Sequence, residues 1–231
     1  MSPFPFDAAL FDCDGVLVDS EPLVARVLSE MLSERGWPLT QQQAGEIFLG
    51  KSVAGLAGLI EERTGKPFTD EWLDEFRRQR NVALERDLTE IPGAPAAVRA
   101  IQVATGGRIA CASGADLLKV RLQLGKIGIL DAFAGQIFSG QDQPRTKPHP
   151  DVYLAAAAAL GVDPTRCAVI EDTVTGATAG VAAGATVFGY SPGGQYHSTP
   201  EALRAAGAHV IFESMHELPA VLAAYAANAA A

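Results

Sequence analysis

The stretch that decides the fold is Ala8-Ala9-Leu10-Phe11-Asp12-Cys13-Asp14-Gly15-Val16-Leu17-Val18-Asp19-Ser20. An apolar run of strand length leads straight into two carboxylates separated by one residue, and then a glycine that permits a sharp turn. On an extended chain residues i and i+2 point the same way, so Asp12 and Asp14 can converge on one small volume. Converging carboxylates at a strand end suit a hard cation. They can also divide the parts of nucleophile and acid/base. Taken alone, the same turn is weak evidence and also reads as a solvated acidic loop.

Working outward, short apolar runs followed by helical patterns recur at Ala8–Phe11, Arg108–Ala112, Gln136–Phe138, Cys167–Ile170 and Ala185–Gly189. This alternation predicts an α/β fold, a parallel sheet covered by helices on both faces. In such sheets ligands bind at the carboxyl ends of the strands, so the polar residue after each run is where chemistry is sought. The stretch from Ser20 to about Asp87 breaks the alternation. Glu21–Arg35 has helical apolar spacing at Leu23, Val27, Leu28, Met31 and Leu32 and stops at Gly36 and Pro38, and further helices are predicted over Thr40–Phe48, Ser52–Arg63 and Thr69–Arg86. Residues 20–88 therefore read as a helical insert, with 1–19 and 89–231 forming the core. The alanine-rich segment Leu218–Ala231 reads as a terminal helix that frays at its end.

Three later strand ends add candidates. Ser113 and Gly114 follow Ile109–Ala112 and offer a hydroxyl and backbone N–H groups at a helix start, which suits an anion or simply caps the helix. Lys147 lies in Arg145-Thr146-Lys147-Pro148-His149-Pro150, where two prolines stiffen the backbone around a cation. Glu171-Asp172 follow Ala168-Val169-Ile170 and could complete a metal site or cap the next helix.

An acidic pair, a hydroxyl, a lysine and a second acidic pair, in that order at four strand ends, resemble the haloacid dehalogenase superfamily in its phosphatase and phosphomutase branch. The resemblance extends over essentially the whole chain. It implies a Rossmann-like core with an inserted, mobile α-helical cap, and Mg2+-dependent cleavage of a small phosphate monoester of the sugar phosphate, sugar-acid phosphate or phosphoglycolate type. Carried over residue by residue, Asp12 would be the nucleophile and Asp14 the acid/base. Ser113, Gly114 and Lys147 would hold the phosphate. The metal set would be Asp12, Asp14 through its backbone carbonyl, Asp172 and Glu171. Glu21, Gly50, Lys51 and Ser52 would meet the rest of the substrate, with Arg26 and Arg80 as further polar residues of the cap. A cis Lys147–Pro148 bond is a further expectation.

Two rivals remain. Gly45-Glu46-Ile47-Phe48-Leu49-Gly50-Lys51-Ser52 fits the nucleotide-binding P-loop pattern, but no strand is predicted before it. Sugar phosphomutases of the beta-phosphoglucomutase-like kind match every core motif. They usually carry a histidine and an arginine where this chain has Val24 and Val53. Dehalogenases and phosphonate-cleaving relatives lack the second aspartate, so Asp14 argues against both.

Composition bounds the partners. Of 231 residues, 48% are hydrophobic and 19% charged, ordinary for a packed core, and the formal net charge of −9 repels nucleic acid and anionic membrane. The expected partner is a small phosphorylated metabolite. Cys13, Cys111 and Cys167 lie in short apolar runs without framework spacing, which suits buried thiols in a reducing compartment. The four histidines are too scattered to suggest zinc. No signal peptide or membrane-spanning stretch is read, so a cytoplasmic location and a monomer are expected.

Overall fold

Among the residues 4–229 that the computed structural model describes, six strands form one parallel sheet. They are β1 (Ala8–Phe11), β2 (Ile109–Ser113), β3 (Ile137–Ser139), β4 (Cys167–Glu171), β5 (Thr186–Tyr190) and β6 (Val210–Phe212), in the spatial order β3-β2-β1-β4-β5-β6. Around them run α1 (Glu21–Glu34), α2 (Gln41–Phe48), α3 (Ala57–Thr64), α4 (Asp70–Asp87), α5 (Ala94–Ala104), α6 (Leu117–Lys126), α7 (Asp151–Ala159), α8 (Val174–Ala182), α9 (Pro200–Ala205) and α10 (Leu218–Ala229).

The central strands β2, β1 and β4 are apolar up to their carboxyl ends because both faces are covered. Side chains alternate between two cores: Ala9 and Phe11 of β1 join Ile101 of α5 and Val120 and Leu124 of α6 on one face. Ala8 and Leu10 join Val152 and Tyr153 of α7 and Leu203 of α9 on the other. Leu10 and Phe11 are almost wholly buried. Truncating a leucine so placed costs about 2–5 kcal/mol. A third apolar cluster lies within α1–α4, built on Leu28, Leu32, Phe48, Ile60 and Phe76. Its helices start where the sequence provides caps. Thr40 and Gln43 form a reciprocal capping box at α2, and Thr69 caps α4.

The strand order reverses at β1, between β4 on one side and β2 on the other, and a crevice opens at such a point beyond the strands' carboxyl ends. Register then places the chemistry. Phe11 pairs with Ile170, and Asp12 N–H donates to the Ile170 carbonyl, so Asp12 emerges beside Glu171.

Several expectations shift. Ser113, Ser139 and Glu171 are the last residues of their strands rather than the residues after them, held there by the pairs Ser113–Ser139 and Glu171–Gly189. The helix after β2 begins at Leu117, capped by the Asp116 carboxylate, so Ser113 and Gly114 do not lie at a helix start. The helix expected from Ser52 begins instead as a 3-10 turn over Ala54–Leu56, because Ser52 Oγ accepts from Gly55 N–H. Strand β6 was not anticipated; two half-buried residues and one buried one give too short a pattern. The terminal helix is described to Ala229, and the expected fraying at residues 230–231 lies outside the described residues. The first residues of the segment read as lacking a signal peptide, 1–3, also lie outside. No described helix is long and apolar enough to cross a membrane.

Candidate active site

Lys147 is the centre of the site. Its Nζ donates to Asp12 Oδ1 at 2.8 Å, to Glu171 Oε1 at 2.7 Å and to the Ala112 carbonyl at 2.9 Å. The ammonium also lies 4.7 Å from the centre of the Tyr153 ring, close enough for a cation–π attraction. Its peptide bond to Pro148 is cis, as expected. Tyr153 on α7 donates its hydroxyl to Glu171 Oε1 at 2.6 Å. The other oxygen of Glu171 accepts from the N–H groups of Asp172 and Thr173 and from the Thr173 hydroxyl. The start of α8 closes over this carboxylate, and only a glycine fits at position 176, since an added Cβ would overlap it.

Asp12, Glu171 and Asp172 are all buried, and one oxygen from each lies within 4.8 Å of the others. Three carboxylates face a single ammonium. Burial, and then Glu171 and Asp14, push Asp12 up to about 7 even though Lys147 opposes them. Burial, followed by Glu171 and Asp12, pushes Asp172 well above its ordinary value. Burial alone would lower Lys147, but Asp12 and Glu171 raise it well above the usual lysine range. Asp172 Oδ1 is buried with no hydrogen-bond partner, an arrangement that costs free energy unless a ligand completes it. A hard divalent cation fits this donor set: oxygen ligands only, net negative, with one oxygen unsatisfied.

Asp14 faces elsewhere. Its Oδ1 accepts from Lys119 Nζ at 2.7 Å, from Gln123 Nε2 at 2.7 Å and from the Ser20 hydroxyl. Burial would raise Asp14, but Lys119 and these hydrogen bonds hold it below its ordinary value. Gly15, with φ +73°, turns the chain here, and a Cβ on it would overlap the Asp172 carboxylate.

A cavity of about 640 Å³ lies over these groups. Asp12, Asp14, Ser113, Gly114, Lys147 and Glu171 line it from the strand ends, whereas Glu21, Gly50, Lys51 and Ser52 line it from α1 and the turn after α2. Asp172 lies beneath the lining, 1% exposed. Ser113 Oγ accepts from Ala115 N–H. Burial and the nearby Asp14 push Glu21 up to about 7. Of the two further polar residues suggested, Arg80 lines the cavity but is tied to Asp116 at 2.9 Å, and Arg26 pairs with Asp87 away from it.

Lys119, Gln123 and Tyr153 were not anticipated. Lys119 and Gln123 are spaced i, i+4 and so share a face of α6, but Lys119-Val120-Arg121 reads as an ordinary solvated helix surface. Lys119 is 6% exposed. Tyr153 reads as a core aromatic, which it also is. The P-loop-like run straddles the end of α2, so a helix and not a strand leads into it. Lys51 Nζ donates back to the Ile47 carbonyl at 3.1 Å, satisfying a helix end.

A family model described as haloacid dehalogenase-like hydrolase matches residues 6–184. The chain is 31% identical over 183 residues to 6-phosphogluconate phosphatase of Escherichia coli (strain K12), covering 79% of this chain and 81% of that protein. It is 32% identical over 178 residues to hexitol phosphatase B of the same organism, covering 76% and 79%. A crystal structure of a hydrolase of this family from Deinococcus radiodurans R1, with bound phosphate and sodium, is 38% identical. It superposes with a TM-score of 0.75 over 95% of this chain and 96% of that one.

Proposed function

Since the chain belongs to the haloacid dehalogenase-like hydrolases, we propose that it is a magnesium-dependent phosphatase of small phosphate monoesters, of the sugar phosphate, sugar-acid phosphate or phosphoglycolate type. The observation that carries this is the gathering of Asp12, Lys147, Glu171 and Asp172 at the ends of β1 and β4, with Asp14 two residues from Asp12 in a separate polar nest. The phosphatases among its relatives support the reaction class.

Asp12 attacks phosphorus as a carboxylate, forming an aspartyl-phosphate while the bond from phosphorus to the substrate's bridging oxygen breaks. Asp14 gives its proton to that oxygen as the alcohol departs. It then takes a proton from the water that attacks the aspartyl-phosphate, releasing phosphate and restoring Asp12. Before the first step Asp14 takes up a proton on Oδ2, while Lys119, Gln123 and Ser20 hold its Oδ1. Lys147 and the Ser113 hydroxyl hold the phosphoryl oxygens, whose charge is spread in the transition state. Asp12, Asp172, Glu171 and the Asp14 backbone carbonyl are the groups that would hold magnesium, which when bound offsets the repulsion between an anionic nucleophile and an anionic phosphate.

Residues 20–88 act as a cap over residues 1–19 and 89–231, and Glu21, Gly50, Lys51 and Ser52 meet the leaving group. Val24 and Val53 line the cavity as apolar groups where sugar phosphomutases of this superfamily usually carry a histidine and an arginine, which favours hydrolysis over phosphomutation. The test is a screen of sugar phosphates, sugar-acid phosphates and phosphoglycolate, with and without magnesium. Phosphate release that needs the metal is expected. Efficient conversion of a sugar phosphate to its isomer, primed by a bisphosphate, would overturn the hydrolase reading.

A further inference from the structure

Both glycines of Gly45–Ser52 stand where the helical segment meets the sheet core. Gly45 is buried on α2, and a Cβ built there would come 2.5 Å from an edge carbon of the Tyr196 ring. Only a glycine admits that ring. Gly50, with φ +67°, packs beside Thr173 and Thr175 at the start of α8. Tyr196 comes from the loop between β5 and α9, but it packs against the apolar cluster of α1–α4. Gln41 Nε2, one turn before Gly45, donates to its hydroxyl at 3.3 Å.

The two residues after Tyr196 stand on the phosphoryl site itself. His197 Nε2 donates to the carbonyl of Gly15, 3.1 Å away, in the turn that carries Asp14. Ser198 N–H donates to the Asp172 carbonyl at 3.1 Å, and Ser198 Oγ accepts from Val174 N–H at 3.2 Å. The loop is closed at its base, where Ser191 Oγ donates to the Ser198 carbonyl at 2.8 Å. Three consecutive residues thus reach an α2 glycine, the Asp14 turn and the Asp172 loop, the last through a backbone N–H.

Building on the phosphatase reading, we infer that Tyr196-His197-Ser198 is a brace whose foot is fixed to the phosphoryl site and whose arm, Tyr196 seated on Gly45, sets the height of α2 above Asp12. Tyr196 and Gly45 are positioning residues. Together they define the roof of the cavity and so the size of leaving group that is held. They touch no reacting atom. A substrate that fills the cavity depends on this seat. One as small as acetyl phosphate does not.

The experiment is a double-mutant cycle of Gly45→Ala and Tyr196→Ala, with Tyr196→Phe as the conservative variant. Two readouts are taken: hydrogen exchange of the amides of residues 41–48, and hydrolysis of the best sugar phosphate from the screen against acetyl phosphate. Each alanine variant is expected to speed exchange in α2 and to lower kcat/KM for the sugar phosphate, by about tenfold in each case, within the range of coupled contacts. Acetyl phosphate turnover should stay within about twofold, and Tyr196→Phe, which keeps the ring, should behave as the natural chain. In the Tyr196→Ala background, Gly45→Ala should add nothing, because the added methyl no longer meets a ring. Multiplying effects, or an unaltered α2 in both single variants, would overturn the brace. If Gly45→Ala fails to fold, the contrast between Tyr196→Ala and Tyr196→Phe decides the question. If the natural chain cleaves no phosphate ester, the phosphatase reading falls, while exchange in α2 still tests the brace by itself.

Discussion

Asp12 and Asp14 leave β1 two residues apart, yet they belong to different electrostatic regions. Asp12 shares Lys147 with Glu171 and lies beside Asp172, so three buried carboxylates compete for one ammonium. Asp14 has Lys119 as its own ion-pair partner, together with Gln123 and Ser20. The first region carries too much negative charge and suits a cation. The second is balanced within itself. Two identical side chains acquire different chemistry because each answers to a different lysine.

The sharpest way to break this comparison is to remove each carboxylate in turn. Asp12→Asn should abolish steady turnover, a loss of at least about 10³-fold in kcat, because no aspartyl-phosphate can form. Asp14→Asn should cost about 10²–10⁴-fold, the ordinary worth of a general acid–base. It should also let the aspartyl-phosphate accumulate with an activated aryl phosphate, whose leaving group needs little help. That trapped species, seen by mass spectrometry on Asp12, separates the two roles. Equal losses with no trapped species in either variant would show that they had been wrongly divided.

Lys119 tests the second region alone. Lys119→Met should lower kcat by about tenfold, since Asp14 is then held by neutral donors only. The sign of the accompanying pH shift follows from the forces on Asp14. With Lys119 gone, burial is opposed only by the Gln123 and Ser20 hydrogen bonds, so Asp14 rises and the limb of the pH–rate profile that reports it moves to higher pH. Lys147→Met should instead weaken phosphate binding as well as turnover. A Lys119 variant whose profile does not move would remove that lysine from any part in tuning Asp14.

These two regions were not equally legible in the sequence. The first announces itself because strand ends carry a simple code. A period of two aims Asp12 and Asp14, short apolar runs mark the neighbouring strands, and parallel register brings Asp12 to Glu171. Lys147 stands out through the prolines that flank it. The second region is assembled by contacts that span more than 100 residues, as from Gln123 to Asp14, and α6 displays nothing in its own pattern to betray a buried lysine. Tyr153 is hidden differently, since its ring satisfies the core while its hydroxyl serves Glu171. The Gly45–Ser52 run matches a phosphate loop letter for letter, but it straddles the end of α2, and its glycines face Tyr196 and the start of α8.

The smallest effect probes what holds the second region in place. Asp116 caps α6, the helix that bears Lys119 and Gln123: one carboxylate oxygen accepts from Lys119 N–H at 2.9 Å, and the other pairs with Arg80 of α4 at 2.9 Å. Asp116→Asn keeps the cap, because an asparagine oxygen serves that position equally well, and removes only the ion pair. Arg80 is nearly buried and Asp116 partly so; the stability lost at neutral pH should be about 1–2 kcal/mol, below the range for a fully buried pair. Burial would raise Asp116, but Arg80 and the capping N–H hold it below its ordinary 3.8. The pair's contribution is therefore present above the unfolded-state value and lost as pH falls through the lower folded one. Denaturant unfolding of the two proteins should differ at pH 7 and converge as the pH falls below the ordinary carboxylate range. Because the cap survives, turnover should change by less than about threefold, which would mean that Lys119 reaches Asp14 through the helix cap and not through the α4 ion pair. A larger fall in turnover, with the Asp14 limb of the pH profile displaced, would instead place Arg80 and Asp116 among the groups that set the second carboxylate.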